Sequence, residues 1–172
     1  VLQEVNLEIP AGTFVMGSAT GAVDEAPEHT VQLRAYWIDK YEVSTVQYQA
    51  CVDAGICEAT GTTAGCNSVT NERSDHPINC LNWAQADTYC LWAQKRLPTE
   101  AEWERAAKGD DARTFPWGQE APSRDLLNFN NNVGSTTRVG SYLLGISPFG
   151  VHDMGGNVLG PSPAKPELKA KL

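Results

Sequence analysis

Apolar and polar residues alternate over two stretches near the start of the chain, and the pattern changes to a longer period further on. Val5 to Met16 predicts strand, turn, strand, with Pro10-Ala11-Gly12 as the turn. Thr30 to Asp39 is a second strand region, with apolar positions at Val31, Leu33, Tyr36 and Ile38. Ser44 to Ala54 predicts a helix capped by Ser44 or Thr45. Two more helices are expected, about Asn82–Gln94 and Thr99–Lys108. In the last, Thr99 and Glu102 form a T-x-x-E capping box, Pro98 blocks a helix entering from the left, and Gly109 closes it. From Gly109 to Gly150 the chain is rich in Gly, Pro, Asn and Ser, and only short strands are expected. The sum is an α+β pattern of low regular secondary structure, with three helices plus short strands.

At 172 residues and 41% apolar the chain is one globular domain with a real core. A net charge of −8 disfavours nucleic acid and anionic membrane as partners, since both are polyanions. No apolar run reaches the length of a membrane span. The chain opens on Val1 with no basic and apolar leader, as expected of a processed export product or an excerpt of a longer chain.

Five cysteines in a chain of this size point to an oxidising compartment, secreted or periplasmic. Cys51, Cys57, Cys66 and Cys80 surround an irregular stretch, Gly55 to Asn79, of the kind that needs staples. Two disulfides are expected among them. Three pairings are open, with Cys51–Cys57 and Cys66–Cys80 favoured; reduced thiols in a cytosolic protein are the alternative. No C-x-x-C pair suggests zinc. Cys90 is then the odd cysteine, on an expected amphipathic helix, and reads as a small buried hydrophobe.

Candidate chemistry is sparse. Asn128-Phe129-Asn130-Asn131-Asn132 and Asp153-Met154-Gly155-Gly156-Asn157-Val158 supply the hard oxygens that Ca²⁺ takes, although Asn clusters more often mark turns. His29, His76 and His152 are isolated in sequence; His29 and His76 read as locally bonded loop residues. Glu100 and Glu102 suit the positive end of a helix dipole, and Glu104 can pair with Lys108. Trp37, Trp83, Trp92, Trp103 and Trp117 read as core, with sugar stacking a minority role for Trp117. No nucleophile elbow, P-loop or dinucleotide fingerprint is present.

Several blocks in order carry a wider resemblance. They are Ile9-Pro10-Ala11-Gly12-Thr13-Phe14-Val15-Met16-Gly17-Ser18, Glu25-Ala26-Pro27-Glu28-His29-Thr30-Val31, Tyr36-Trp37-Ile38-Asp39-Lys40-Tyr41-Glu42-Val43-Ser44, His76-Pro77-Ile78, Leu81-Asn82-Trp83-Ala84-Gln85-Ala86, Tyr89-Cys90-Leu91-Trp92, Arg96-Leu97-Pro98-Thr99-Glu100-Ala101-Glu102-Trp103-Glu104, Phe115-Pro116-Trp117-Gly118, Val139-Gly140, Phe149-Gly150-Val151 and Asp153 to Val158. Together they resemble the sulfatase-modifying factor family, whose type member is the formylglycine-generating enzyme, over about residues 7–158.

The resemblance implies a C-type-lectin-like variant fold. It implies structural Ca²⁺ held by Asn128 and the Phe129 carbonyl, and by Asp153, Gly156 and Val158. Gly160 stands where the family adds a Glu to the second site. It also implies oxidation of a cysteine in a Cys-x-Pro/Ala-x-Arg sulfatase motif with O₂ and Cu(I). Two thiolates hold the copper in the family, from beyond the Asn-Val motif, so no catalytic residue carries over to this chain. The match stops at Val158, before Leu159-Gly160-Pro161, and residues 159–172 read as a disordered tail. Cys90 in the family pairs with a C-terminal cysteine. A protein partner covering the core at this break is therefore expected. The rival readings are a non-catalytic lectin-like binding module and an accessory domain of an iron sulfoxide synthase.

Overall fold

The computed structural model describes residues 5–19, 23–61, 65–111, 113–130 and 132–158. Asn131, Gly160 and the tail over 159–172 lie outside the described residues. Four strands come first: β1 (Asn6–Ile9), β2 (Gly12–Met16), β3 (His29–Leu33) and β4 (Tyr36–Asp39). Three helices follow: α1 (Thr45–Asp53), α2 (Trp83–Trp92) and α3 (Glu100–Lys108). This is an α+β arrangement of three helices and short antiparallel strands. From Gly109 onward the described residues carry only an isolated bridge, Phe115 to Gly118.

The strands on either side of Pro10–Ala11 do not pair with each other. β1 runs antiparallel to β4, with Ile9 opposite Tyr36, and β2 runs antiparallel to β3, with Phe14 opposite Val31. The turn therefore hands the chain from one two-stranded ladder to another. Arg105 of α3 holds it there: its Nη1 donates to the Pro10 carbonyl at 2.6 Å. The guanidinium is fully buried, donates also to Asp110 at 2.7 Å, and lies over the Phe149 ring at 5.7 Å. A Cβ at position 12 would overlap that guanidinium, so glycine is required by close approach, not by backbone angle.

Each helix begins on its own capping chemistry. Thr99 Oγ1 accepts from the Glu102 amide at 3.3 Å, and Glu102 Oε2 accepts from the Thr99 amide at 2.8 Å. Asn82 and Gln85 exchange the same two bonds at 2.9 Å each on α2. On α1 the cap is Ser44, whose amide donates to Gln47 Oε1 at 2.8 Å.

Apolar side chains gather in two clusters. One joins Ile9, Tyr36, Ile38, Ala106, Ala107, Val151 and Met154. The other joins Val43, Tyr48, Cys51, Cys57, Ile78, Tyr89 and Cys90. The expectation that the tryptophans are core fails in part: Trp37 is 66% exposed, Trp83 40% and Trp92 37%. The ladders have little depth, so a residue on the outer face of β4 has nothing to pack on. The face of α2 that is buried is Ala86, Tyr89 and Cys90, with Leu91 outward, because α2 docks through small residues and a stack of Tyr89 on Tyr48.

Glu102 does more than cap. It is buried and receives Nη1 of Arg96 at 2.7 Å, while its backbone carbonyl accepts the Tyr36 hydroxyl at 2.6 Å. Burial pushes its carboxyl up, but the bonds from Arg96 and Thr99 outweigh this and hold it below the ordinary 4.5.

Two outcomes are expected. Gly12→Ala should lower stability by about 1–3 kcal/mol through overpacking, read as a shifted urea midpoint at unchanged slope. For Glu102 the folded-state value is depressed, so its contribution is present above the ordinary 4.5 and is lost as pH falls below it. Acid titration of the melting temperature should therefore show a decline in that window, and Glu102→Gln should flatten it.

Candidate functional site

Two loops that the sequence marks as oxygen-rich lie side by side. The first turns at Asn128–Asn130 and the second at Asp153–Val158. Asn130, Asp153 and Asn157 adopt positive φ of 48°, 55° and 73°. Asn and Asp enter this left-handed region more readily than other non-glycine residues, because a short polar side chain can bond its own backbone surroundings. The Asn157 amide donates to the Asn128 carbonyl at 3.0 Å. Gly156 packs so closely on that carbonyl that a Cβ would overlap it. Gly155 in turn faces Trp117 and Leu127, where a Cβ would also collide. Trp117 is thus a packing floor beneath the second loop.

Asn157 is the centre of the arrangement. Its Oδ1 accepts from the Thr137 amide at 2.8 Å, and its Nδ2 donates to the Thr137 carbonyl at 3.1 Å, imitating one step of a β-ladder. The same Nδ2 donates to Glu42 Oε2 at 2.8 Å, across 115 residues of sequence. Asn128 is buried and its Nδ2 donates to the Ser135 carbonyl at 2.8 Å. Asp153 is buried and its Oδ2 accepts the Gly140 amide at 2.6 Å. A third segment, Ser135 to Gly140, is therefore held between the two loops.

The five predicted ligand positions divide as follows. Asn128 and Asp153 are buried, while Phe129, Gly156 and Val158 are half-buried. The Phe129 carbonyl accepts the Asn132 amide at 3.0 Å and the Gly156 carbonyl accepts the Val158 amide at 3.1 Å, each a local turn. Through the Asn128–Gly156 approach the structure brings both ligand groups into one neighbourhood. Sequence reasoning about ligands missed Glu42, Thr137 and Gly140. Glu42 stands in a recognisable block, but nothing in its local pattern marks it as buried. Thr137 and Gly140 act through backbone groups, which no side-chain pattern can report.

The histidines do not converge. His29 is exposed and its Nδ1 is 3.1 Å from the Pro27 carbonyl. His152 is buried with its ring 4.8 Å from that of Tyr41. His76, expected to bond locally, instead has Nδ1 at 2.8 Å from the hydroxyl of Thr136. Burial is the main cause that pushes its imidazole below the ordinary 6.5, so the neutral ring is favoured. Among the described residues no three of His, Cys, Asp and Glu gather as a metal-binding group. A hard-cation site built on carbonyls and amides needs no such group.

Disulfides join Cys51 to Cys57 and Cys66 to Cys80. Cys51 closes the C-terminal end of α1, where its carbonyl also accepts the Ile56 and Cys57 amides. Cys90 is a free thiol, 3% exposed, among the apolar residues of the second cluster. Burial, with Asp39 and Asp87 nearby, pushes it up to about 12. No described helix is long and apolar enough to cross a membrane.

The sequence profile of the sulfatase-modifying factor enzyme 1-like domain matches residues 3–160. Formylglycine-generating enzyme of Mycobacterium tuberculosis is 28% identical over 212 residues, covering 88% of this chain and 71% of that protein. Hercynine oxygenase of Mycolicibacterium thermoresistibile is 31% identical over 164 residues, covering 78% of this chain and 37% of that protein. Among solved structures, PvdO from Pseudomonas aeruginosa aligns with a TM-score of 0.71 at 28% identity, over 89% of this chain and 67% of the other. The chain thus spans well under half of the one curated relative and 71% of the other.

The thiol of Cys90, raised to about 12 and shielded by its cluster, should be inert to iodoacetamide at neutral pH in the native protein. One equivalent should react after denaturation without reductant. Mass spectrometry of the two samples reads this directly.

Proposed function

The chain belongs to the sulfatase-modifying factor family, and within that family we propose that these residues form a calcium-braced scaffold of the formylglycine-generating class that does not by itself oxidise cysteine. The cysteine inventory carries this reading. Soft thiolates select Cu(I), and the family's oxidase chemistry uses a pair of them. Four of the five cysteines here are consumed in two disulfides. The fifth is a single buried thiol held largely protonated. These residues do not fit a copper site, and no oxidation step is derived through one.

The oxygen set does suit a hard cation. Asn128 and the Phe129 carbonyl would form one ligand group, and Asp153 with the Gly156 and Val158 carbonyls the other. A bound Ca²⁺ supplies positive charge that offsets buried carboxylate and ties adjacent loops. The chain's own part is positional: Asn157 joins Glu42, Thr137 and Asn128, and Gly140 orients Asp153. A sulfatase-type protein or peptide is the partner that this class implies, and the two disulfides agree with a secreted or periplasmic setting. A second reading, a lectin-like module that binds a protein or ligand without chemistry, is favoured by exposed apolar side chains. Leu143 is 71% exposed, Leu144 68% and Trp37 66%.

The test joins three measurements. Anaerobic Cu(I) titration should show no tight binding, and an aerobic assay on a Cys-x-Pro-x-Arg peptide should leave its mass unchanged. Calcium at about a hundred times its Kd should raise the melting temperature by roughly 5–10 °C over chelated protein. Conversion of the peptide would overturn the claim of inactivity. An unchanged melting temperature would overturn the calcium reading.

A further inference from the structure

We propose that the contact between Asn67 and Thr136 is a strut by which the Cys66–Cys80 loop positions the candidate cation loops, so that a dithiol reductant acting on that disulfide loosens them. The inference rests on the calcium reading for its functional meaning, but its geometry stands apart from any cation.

Asn67 follows Cys66 directly and is wholly buried. Its amide donates to Asn79 Oδ1 at 2.7 Å, next to Cys80. Its Nδ2 donates to the Pro77 carbonyl at 2.7 Å and to Thr136 Oγ1 at 2.9 Å, and its Oδ1 accepts from Arg73 at 2.9 Å. Asn67 therefore knits the disulfide loop internally and reaches out of it once, across 69 residues, to Thr136. His76, from the same loop, closes on the same hydroxyl at 2.8 Å. The next residue, Thr137, is the one whose amide and carbonyl Asn157 grips. A second tie lies on the other side: the Val139 amide donates to the Asp75 carbonyl at 3.0 Å, beside Gly140, which orients Asp153.

The segment that braces both candidate loops is thus itself braced by the 66–80 loop. That loop has little apolar support, since the second core cluster reaches it only at Ile78. Its later part, Ser74 to Ile78, is tied by backbone bonds to Val43, Thr45 and Val46, while its start at Cys66 and Asn67 is held by the disulfide and by the bonds of Asn67.

Reduction is chemically open. Cys80 is exposed while Cys66 is 8% exposed. A dithiol's thiolate attacks Cys80 Sγ, the S–S bond breaks, and Cys66 leaves as a thiolate that takes up a proton. The reagent's second thiol then displaces Cys80 and closes a cyclic disulfide. Two electrons pass from the dithiol to the protein.

Amide exchange at Thr137, Gly140 and Asn157 tests the strut, because each of these donors bonds a residue of the candidate site. Thr136→Val keeps the shape and removes the hydroxyl. It should speed exchange at Thr137 and Asn157 about tenfold, leaving Ala93 and Gly109 at the ends of α2 and α3 unchanged. Thr136→Ser, which keeps the hydroxyl, should restore protection. Cys66→Ser/Cys80→Ser, or treatment of the unsubstituted chain with dithiothreitol, should reproduce the Val effect. Calcium affinity should fall in parallel by about tenfold. Wild-type exchange rates in Thr136→Val, or a rise spread evenly over the molecule, would overturn the strut. If the unsubstituted chain binds no calcium while the exchange pattern follows expectation, the cation reading fails and the strut stands.

Discussion

The buried guanidinium of Arg105 is the constraint on which the rest of the fold depends. A charge with no access to water is tolerated only when its donors are all directed at acceptors. Here Nη1 donates to the Pro10 carbonyl and Nε and Nη2 donate to Asp110, with the Phe149 ring beneath. Three stretches far apart in the chain meet at one side chain: the β1–β2 turn, α3 with the segment just after it, and the approach to the second candidate loop. Phe149 leads within a few residues to Val151 and Met154, which join Ile9, Tyr36 and Ala106 in the first core cluster. The guanidinium therefore sets where the Asp153–Val158 loop starts, and Gly12 is the space that admits it.

Beyond α3 the described residues have almost no regular secondary structure, yet their backbone polar groups still need partners. Side-chain amides take the role that a neighbouring strand would play. Asn157 pairs with both backbone groups of Thr137, and Asn128 takes the Ser135 carbonyl. Asn67 does the same within the disulfide loop. Such contacts are short-range and directional, so they hold a loop in one shape without needing an apolar face. The two disulfides add to this: Cys51–Cys57 closes the end of α1 from within the second core cluster, and Cys66–Cys80 staples an irregular stretch that this cluster reaches at Ile78.

The same economy bears on function. A lectin-like frame of this kind offers many loop positions and asks little of their sequence, so related frames can carry different chemistry. Relatives of this chain bear two different enzyme names, hercynine oxygenase and formylglycine-generating enzyme. In this chain four cysteines are joined in two staples and Cys90 packs in the core.

Local chemistry was legible from the sequence. Thr99 and Glu102 were expected to cap their helix and do so, because both partners lie within one turn. The ordered blocks identified the family, and of the three open disulfide pairings the favoured one, Cys51–Cys57 with Cys66–Cys80, is the one found. The oxygen-rich loops were visible as composition, with no sign of what orders them. The tertiary structure alone decided that β1 pairs with β4 and β2 with β3, that Trp37 and Leu91 face water, and that Glu42, Thr137 and Asn67 buttress the candidate loops. These outcomes rest on contacts between residues many tens of positions apart, often through backbone groups. Residue types and their spacing report which neighbours a segment can satisfy by itself; which distant partner satisfies the rest is settled only when the core closes.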